Sequence, residues 1–165
     1  MIFKGKGWKF GDDISTDHIA PGRLFHLRSN LPELAKHVLV DAREDFAPNL
    51  SQGDFVVGGN NFGLGSSREH APTIIKLAGV SAVLAKSFAR IFFRNCVNIG
   101  LPAIICDTDK IDEHDELEVD LSTGVIKNVT KGIELTFAPL PDVMKKILSD
   151  GGLVEHIKKN QGFNL

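Results

Sequence analysis

The sequence predicts an α/β protein with a parallel αβ core and added antiparallel strands. Two observations carry this prediction: apolar strands alternate with helical segments between residues 54 and 106, and short strands without helices follow at 116–137. The chain has 165 residues, of which 42% are hydrophobic, and this is close to the usual size of one domain. We therefore expect a single domain over residues 1–165.

The first 40 residues predict a strand, a long loop and a helix. Aromatic residues alternate with Lys and Gly at 3–10, which is typical of a half-exposed strand. Residues 11–30 show no apolar periodicity and are expected to form a loop, and loops of that length are usually functional or disordered. Apolar residues from Leu31 to Leu39 recur at helical spacing, with Asn30 as N-cap and Pro32 in the first turn.

The parallel core is expected in the middle of the chain. Three apolar runs predict buried strands: 54–58, 80–85 and 101–106. Between them, a first helix is expected at 68–78, capped by Ser66 or Ser67 and ended by Gly79. A second helix is expected to begin at Ser87 and to end at Gly100.

The last third is expected to leave this alternating pattern. Three short strands are predicted: 116–121, 125–128 and 133–137. Pro141 opens a last helix, which Gly151 and Gly152 break before a basic tail at Lys158 and Lys159. The antiparallel strands therefore form an addition to the parallel core.

Charge and composition exclude several classes of function. Nineteen basic and 21 acidic side chains give a formal net charge of −2, which does not favour nucleic acid or an anionic membrane. No apolar run approaches the roughly 20 residues that cross a bilayer, and the N-terminus lacks the apolar core of a signal peptide. Two cysteines, Cys96 and Cys106, suit a reducing compartment. We expect a cytoplasmic protein without nucleic-acid or membrane partners.

The glycine-rich segment 58–72, GGNNFGLGSSREHAP, is the sharpest candidate for a site. Its glycines let the backbone approach a ligand, and Ser66 and Ser67 stand where a helix is expected to expose free N–H groups. Arg68 adds a planar guanidinium that suits a carboxylate or a phosphate. The segment predicts an anion site with a reactive hydroxyl. The alternative, in which the serines only cap the helix, stays open at this point.

The loop at 11–30 is the second candidate, because it concentrates polar and charged side chains. They are Asp12, Asp13, Thr16, Asp17, His18, Arg23, His26 and Arg28. These residues can be turn formers and surface charge, but ordering so long a loop has an entropic cost that a function would justify. Its arginines can close an anionic pocket from one side.

Several named motifs are absent from the chain. The glycine-rich segment has neither the Lys-Ser/Thr pair of a P-loop nor the last glycine of the dinucleotide fingerprint, and no G-x-S-x-G elbow occurs. The histidines lack paired metal-ligand spacing, and two cysteines alone cannot hold an iron–sulfur cluster. Cys96 and Cys106 are expected in the core, so any metal must come from elsewhere.

Four segments carry a resemblance to a known family. They are DISTDHIAP at 13–21, NFGLGSSREHA at 61–71, AKSFARIFFRN at 85–95 and NIGLP at 98–102. Together they resemble the mobile swivel domain of the aconitase superfamily. The length of the chain and the Gly151-Gly152-Leu153 sequence are similar to the free-standing small subunits of 3-isopropylmalate dehydratases.

The resemblance implies a β/β/α swivel fold of the aconitase type and a heteromeric hydro-lyase. A separate large subunit carries a [4Fe-4S] cluster through three cysteines, so this chain binds no cofactor of its own. Water is removed from and added back to a hydroxy-di- or tricarboxylate, which for isopropylmalate is a step of leucine biosynthesis. When isolated, the chain can form a homo-oligomer, a state that the sequence leaves open.

Residue roles follow from the resemblance at matching positions. Ser66 matches the serine alkoxide that removes the carbon-bound proton, and Arg68 would stabilise that alkoxide and hold a substrate carboxylate. Ser67 would bind substrate, and Thr16 and Asp17 match active-site residues of the first loop. A serine ionises only with help from such a cationic, desolvated setting.

The loop after this motif sets substrate specificity in related small subunits. Here residues 21–30 offer apolar groups for an isopropyl substituent and Arg28 or Arg23 for an extra carboxylate. The whole-chain resemblance makes isopropylmalate the expected substrate. Small subunits of homoaconitase or of a dehydratase acting on dimethylmalate or citrate remain alternatives, as does a non-catalytic carboxylate-binding regulatory module.

Overall fold

The computed structural model describes residues 1–162. The strands are β1 (Ile2–Lys9), β2 (Phe55–Val57), β3 (Ala82–Ala85), β4 (Ala103–Ile105), β5 (Glu116–Asp120), β6 (Val125–Asn128) and β7 (Ile133–Thr136). The α-helices are α1 (Thr16–Ile19), α2 (Leu31–Ala35), α3 (Phe46–Asn49), α4 (His70–Ala78), α5 (Arg90–Ile99), α6 (Asp142–Ser149) and α7 (Leu153–Asn160). Two 3-10 segments lie at Gly22–Leu27 and Thr108–Lys110.

A mixed sheet with the order β4-β3-β2-β1-β5-β6-β7 organises these elements. β1 joins its two halves: residues 7–9 pair in parallel with β2, and residues 2–6 pair antiparallel with β5. β2, β3 and β4 continue the parallel half, whereas β5, β6 and β7 form an antiparallel meander. The predicted fold class, a parallel core with added antiparallel strands, is confirmed.

Hydrophobic residues pack on both faces of the parallel strands. Every residue of β2 and β3 is buried, as expected where helices or other layers cover both faces. Val56 belongs to the cluster that includes Phe92 of α5. The adjacent Phe55 belongs to the opposite cluster, with Leu117 and Ile126 of the antiparallel half. Alternate residues of one strand therefore join the two parts of the core.

α4 begins later than the sequence predicts, and its N-cap is not a serine. Glu69 is its N-cap and makes no side-chain capping bond, so neither Ser66 nor Ser67 caps the helix. The predicted end is confirmed, because Gly79 takes φ +111° and its N–H bonds back into the last turn. The capping role expected for the two serines is wrong, since the segment before α4 packs against the first loop instead.

α5 also begins later than predicted, at Arg90 rather than near Ser87. The Ser87 hydroxyl accepts a hydrogen bond from the backbone N–H of Asn61 at 2.7 Å instead of capping the helix. The predicted end at Gly100 is confirmed by its φ of +82°. Ser87 thus stabilises the glycine-rich loop rather than its own helix.

The loop expected at 11–30 contains more regular structure than predicted. Ser15 caps α1 in a reciprocal bond with His18, and the 3-10 segment Gly22–Leu27 follows. Local side-chain capping forms such short helices without the apolar periodicity that would have predicted them.

Two further helices differ from the expectation. α2 keeps Asn30 as its side-chain cap but ends at Ala35, and Leu39 takes φ +58°, a conformation that does not continue a helix. The expected basic tail is α7, which begins at Leu153 after the Gly151-Gly152 break. Within residues 1–162, no helix has the length and apolar character that would span a membrane.

Candidate active site

The site forms where the chain leaves the carboxyl ends of the parallel strands. The loops after β1 and β2 meet there, which is the usual position of a site in an open parallel sheet. The N–H of Thr16 donates to the Leu64 carbonyl oxygen at 2.8 Å, and the N–H of Gly63 donates to that of Ile14 at 2.6 Å. The two segments singled out by sequence are therefore bonded to each other along their backbones.

Two glycines of this loop are required by its conformation. Gly63 has φ +85°, and a Cβ there would lie 2.1 Å from the Phe92 ring of α5. Gly65 has φ +109°, and a Cβ there would lie 3.0 Å from the Thr16 hydroxyl oxygen. Both positions need left-handed backbone and a close approach, which glycine alone provides cheaply. The two glycines thus allow the loop to pack closely against α5 and α1.

Thr16 and Ser66 are brought together across these loops. Their hydroxyl oxygens are 3.3 Å apart, and either can be the donor. Thr16 is only 3% exposed, whereas Ser66 is exposed and free of any capping role. The structure therefore places Ser66 as an accessible hydroxyl whose only side-chain hydrogen bond among residues 1–162 goes to a buried threonine.

Ser67, which is exposed, and Arg68, which is half-buried, follow Ser66 along the site. Ser67 is held through its backbone, since its carbonyl oxygen accepts a bond from the Asn95 side chain of α5 at 3.3 Å. The Arg68 guanidinium carbon lies 5.7 Å from the ring centroid of Phe25, in the 3-10 segment. Arg68 makes no ion pair with any carboxylate of the described part of the chain.

Arg28 meets the same aromatic ring from the first loop. Its guanidinium carbon is 4.1 Å from the Phe25 centroid, and Nη1 donates to the Phe25 carbonyl oxygen at 3.1 Å. Arg23 differs, because it forms a salt bridge with Asp41 at 2.5 Å. Of the two arginines considered for an extra carboxylate, only Arg28 is left without a carboxylate partner among residues 1–162.

Asp17 stabilises the backbone of the loop at 21–30. One carboxylate oxygen accepts a hydrogen bond from the N–H of Gly22 at 2.9 Å, where the 3-10 segment begins. The side chain is otherwise exposed. This contact joins α1 to the segment that carries Phe25 and Arg28.

His70, Asn95 and Phe25 lie beside Ser67 or Arg68, and sequence reasoning did not single them out. Burial and the nearby charge of Arg68 lower the pKa of His70, so it is neutral at pH 7 and adds no second cation beside Arg68. Asn95 lies on a helix that also carries Arg90, Arg94 and Asn98, so no sequence signal separated it from the other polar residues there. Phe25 carried no signal, because an aromatic residue in a loop is most simply a packing residue.

The described residues do not fit an iron–sulfur cluster. Cys96 and Cys106 are both buried, and burial raises the pKa of the Cys106 thiol to about 12 and that of Cys96 well above its usual value. No group of three or more Cys, His, Asp or Glu side chains among residues 1–162 is arranged to hold a metal ion. The predicted core positions of the two cysteines are confirmed.

Comparison with known proteins first defines the class. A family model described as the aconitase C-terminal domain matches residues 19–108, a range that contains Arg28, the glycine-rich loop and α5. The fold and the site therefore define an aconitase C-terminal, or swivel, domain.

Individual relatives define the family more narrowly. The chain is 65% identical to 3-isopropylmalate dehydratase small subunit 2 of Archaeoglobus fulgidus, covering 97% of both chains. It is 60% identical to small subunit 1 of Thermotoga maritima, covering 98% of both. A crystal structure of 3-isopropylmalate dehydratase from Methanocaldococcus jannaschii superposes with a TM-score of 0.92 at 44% identity, covering 98% and 96% of the two chains. The chain belongs to the family of 3-isopropylmalate dehydratase small subunits.

Proposed function

We propose that this chain supplies the small-subunit half of an active site that interconverts 2-isopropylmalate and 3-isopropylmalate, a step of leucine biosynthesis. Membership of the small-subunit family supports the reaction class. The observation that carries the residue assignment is Ser66, an exposed hydroxyl with no capping role, bonded to buried Thr16 at 3.3 Å.

Ser66 acts as the base in this proposal. Its alkoxide takes the proton from one substrate carbon while hydroxide leaves the neighbouring carbon, and Ser66 Oγ becomes a hydroxyl. In the second half, the hydroxide adds to the carbon that lost the proton, and the Ser66 hydroxyl returns its proton to the neighbouring carbon, so that one water is removed and one is added back. Arg68, two residues away, favours the ionised serine electrostatically, and a hydrogen bond from Thr16 favours it further.

Substrate carboxylates bind to the cations and hydroxyls around Ser66. Arg68 and Ser67 hold the carboxylate that all substrates of this class share, and guanidinium–carboxylate pairs supply both charge and orientation. Thr16 contributes through its contact with Ser66. One Asp17 carboxylate oxygen accepts the hydrogen bond from Gly22, and the other is proposed to contact substrate.

The [4Fe-4S] cluster belongs to a separate large subunit. The family name supports the existence of that partner, and the lack of a ligand set among residues 1–162 supports placing the cluster there. Two buried, reduced cysteines support a cytoplasmic location.

A second candidate function is favoured by one contact. Arg28 has no carboxylate partner among residues 1–162 and lies in the specificity loop, so an acid with a further carboxylate, such as homocitrate, is a candidate substrate. We place isopropylmalate first, because the whole-chain relatives carry that name.

The test is reconstitution of this chain with its large subunit. Isopropylmalate, homocitrate, citrate and dimethylmalate are assayed side by side, and iron is measured in each subunit. We expect the highest kcat/KM for isopropylmalate, with iron in the large subunit and neither iron nor turnover in this chain alone. Turnover by the isolated chain, a cluster bound to it, or an inactive reconstituted pair would contradict the proposal.

A further inference from the structure

Phe25 is the one aromatic residue of the 3-10 segment, and it does not serve the core. Its neighbours Leu24 and Leu27 pack against the hydrophobic cluster of α2, α4 and α5, and Phe25 does not. The Phe25 side chain is 46% exposed. Packing therefore explains how the segment is anchored but not why it presents a phenylalanine.

Two guanidinium groups from different parts of the chain share this ring. Arg28 directly follows the 3-10 segment and lies 4.1 Å from the ring centroid, whereas Arg68 comes from the glycine-rich loop and lies 5.7 Å from it. A guanidinium within about 6 Å of an aromatic centroid is attracted by the ring quadrupole. The ring is thus a contact between the specificity loop and the segment that carries Ser66.

The two cations have no carboxylate partner among residues 1–162, although the same region contains one for a third arginine. Arg23, in the same 3-10 segment, forms a salt bridge with Asp41. Arg28 and Arg68 instead keep their charges available. Two like charges held near one ring repel each other, and an anionic ligand relieves that repulsion.

We propose that Phe25 is a positioning residue, which fixes the spacing between Arg68 and Arg28 for the carboxylates of the substrate. The inference rests on the proposed function. Arg68 meets the shared carboxylate, Arg28 meets an acidic substituent where one is present, and Phe25 touches neither. Pre-set cations lower the ordering cost of binding, so Phe25 acts on KM rather than on kcat.

The test uses the reconstituted enzyme with Phe25→Leu, which keeps an apolar side chain and removes the ring. We expect KM for isopropylmalate to rise about two- to fivefold, as for the loss of one exposed cation–π contact, with kcat within twofold. Phe25→Trp restores the wild-type KM, because an indole attracts cations at least as well. Val129→Ala, at an exposed apolar residue that follows β6 in the antiparallel half, is the control and leaves KM unchanged.

Tricarballylate, a tricarboxylate without a hydroxyl group, tests the Arg28 part as a competitive inhibitor. Phe25→Leu is expected to raise its Ki about four- to 25-fold, because both contacts are lost. In an Arg28→Val background the effect falls to the two- to fivefold seen with isopropylmalate. Equal effects in both backgrounds, or a tricarballylate that does not inhibit the wild type, would overturn the role of Arg28.

Different results would overturn the proposed function and the positioning role of Phe25. A wild-type pair that does not turn over isopropylmalate overturns the proposed function. A wild-type pair that does, combined with an unchanged KM in Phe25→Leu, a loss confined to kcat, or no rescue by Phe25→Trp, overturns the positioning role alone.

Discussion

Thr16 contributes to the site from a buried position. It is 3% exposed, its N–H bonds to the Leu64 carbonyl oxygen at 2.8 Å, and its hydroxyl lies 3.3 Å from that of Ser66. Burial and the bonded backbone therefore hold the Thr16 side chain beside Ser66 rather than at the exposed surface of the site. We propose that Thr16 fixes the position and favours the ionisation of Ser66 through this contact.

Thr16→Val removes that hydroxyl with little change of shape. We expect kcat of the reconstituted enzyme to fall about two- to tenfold, the value of one neutral hydrogen bond, with KM nearly unchanged. Thr16→Ser, which keeps the hydroxyl, is the matched control and retains most of kcat. Steady-state kinetics of both variants check the expectation, and a Thr16→Val enzyme as active as Thr16→Ser would contradict it.

Candidate residues could be selected from the sequence, whereas the contacts between them could not. The Gly-Ser-Ser-Arg-Glu-His sequence drew attention to Ser66 and Arg68 because it is dense in polar groups beside a predicted helix start. The contact of Arg28 with Phe25 is local and still left no pattern in the sequence. The contact of Thr16 with Ser66 spans 50 residues, and spacing along the chain carries no information at that range.

At the level of elements, strands were easier to predict than helix starts. β2 and β3 lie within uninterrupted apolar runs, which burial on both faces requires. The predicted starts of α4 and α5 were wrong because serine is a common capping residue, but Ser66, Ser67 and Ser87 do not cap these helices. They lie in the glycine-rich loop or, like Ser87, bond to it. A serine hydroxyl accepts a hydrogen bond from any free N–H group that the fold brings near it, and not only from one at a helix start.

The seating of the glycine-rich loop on α5 can be measured with Gly63→Ala. A side chain at φ +85° meets the Phe92 ring, so we expect the free energy of unfolding to fall by about 2–4 kcal/mol from strain and overpacking together. Gly132→Ala is the control, since Gly132 has φ +67° and open space, and it should lose only about 1 kcal/mol. Urea unfolding of both variants gives the difference, and equal losses would show that α5 does not confine the loop.

Arg28→Val tests whether the loop at 21–30 selects the substrate. For substrates with an extra carboxylate, the loss of a charge-assisted pair worth about 1.5–3 kcal/mol lowers kcat/KM about ten- to a hundredfold. The same change spares or improves isopropylmalate, because it removes a cation that an apolar substituent cannot satisfy. The ratio of the two kcat/KM values decides the matter. If both values move together, Arg28 does not discriminate between substrates.

At the level of the whole molecule, β1 couples the two halves of the sheet. It pairs with β2 through residues 7–9 and with β5 through residues 2–6. Without β1, the parallel and antiparallel halves would not be hydrogen-bonded into one sheet. Trp8, the single tryptophan, is buried on this strand and donates from Nε1 to Asp54 at 3.0 Å. We propose that the chain forms one cooperative unit.

Cooperative unfolding is the expected consequence. Trp8 fluorescence reports the parallel half, whereas far-ultraviolet circular dichroism reports all helices and strands. In urea the two signals should change with the same midpoint and the same slope. Separate midpoints would mean that the antiparallel half unfolds independently, and the chain would then be two units.

Ser66→Ala in the reconstituted enzyme tests whether this chain provides the base of the reaction. We expect kcat for isopropylmalate to fall on the order of 10²–10⁴-fold, as for the loss of a positioned general base. The free energy of unfolding should change by less than about 0.5 kcal/mol, because Ser66 is exposed and caps no helix. Ser149→Ala, at an exposed serine of α6, controls for the substitution itself. A Ser66→Ala enzyme whose kcat stays within a few-fold of the wild type, with subunit assembly intact, would contradict the account.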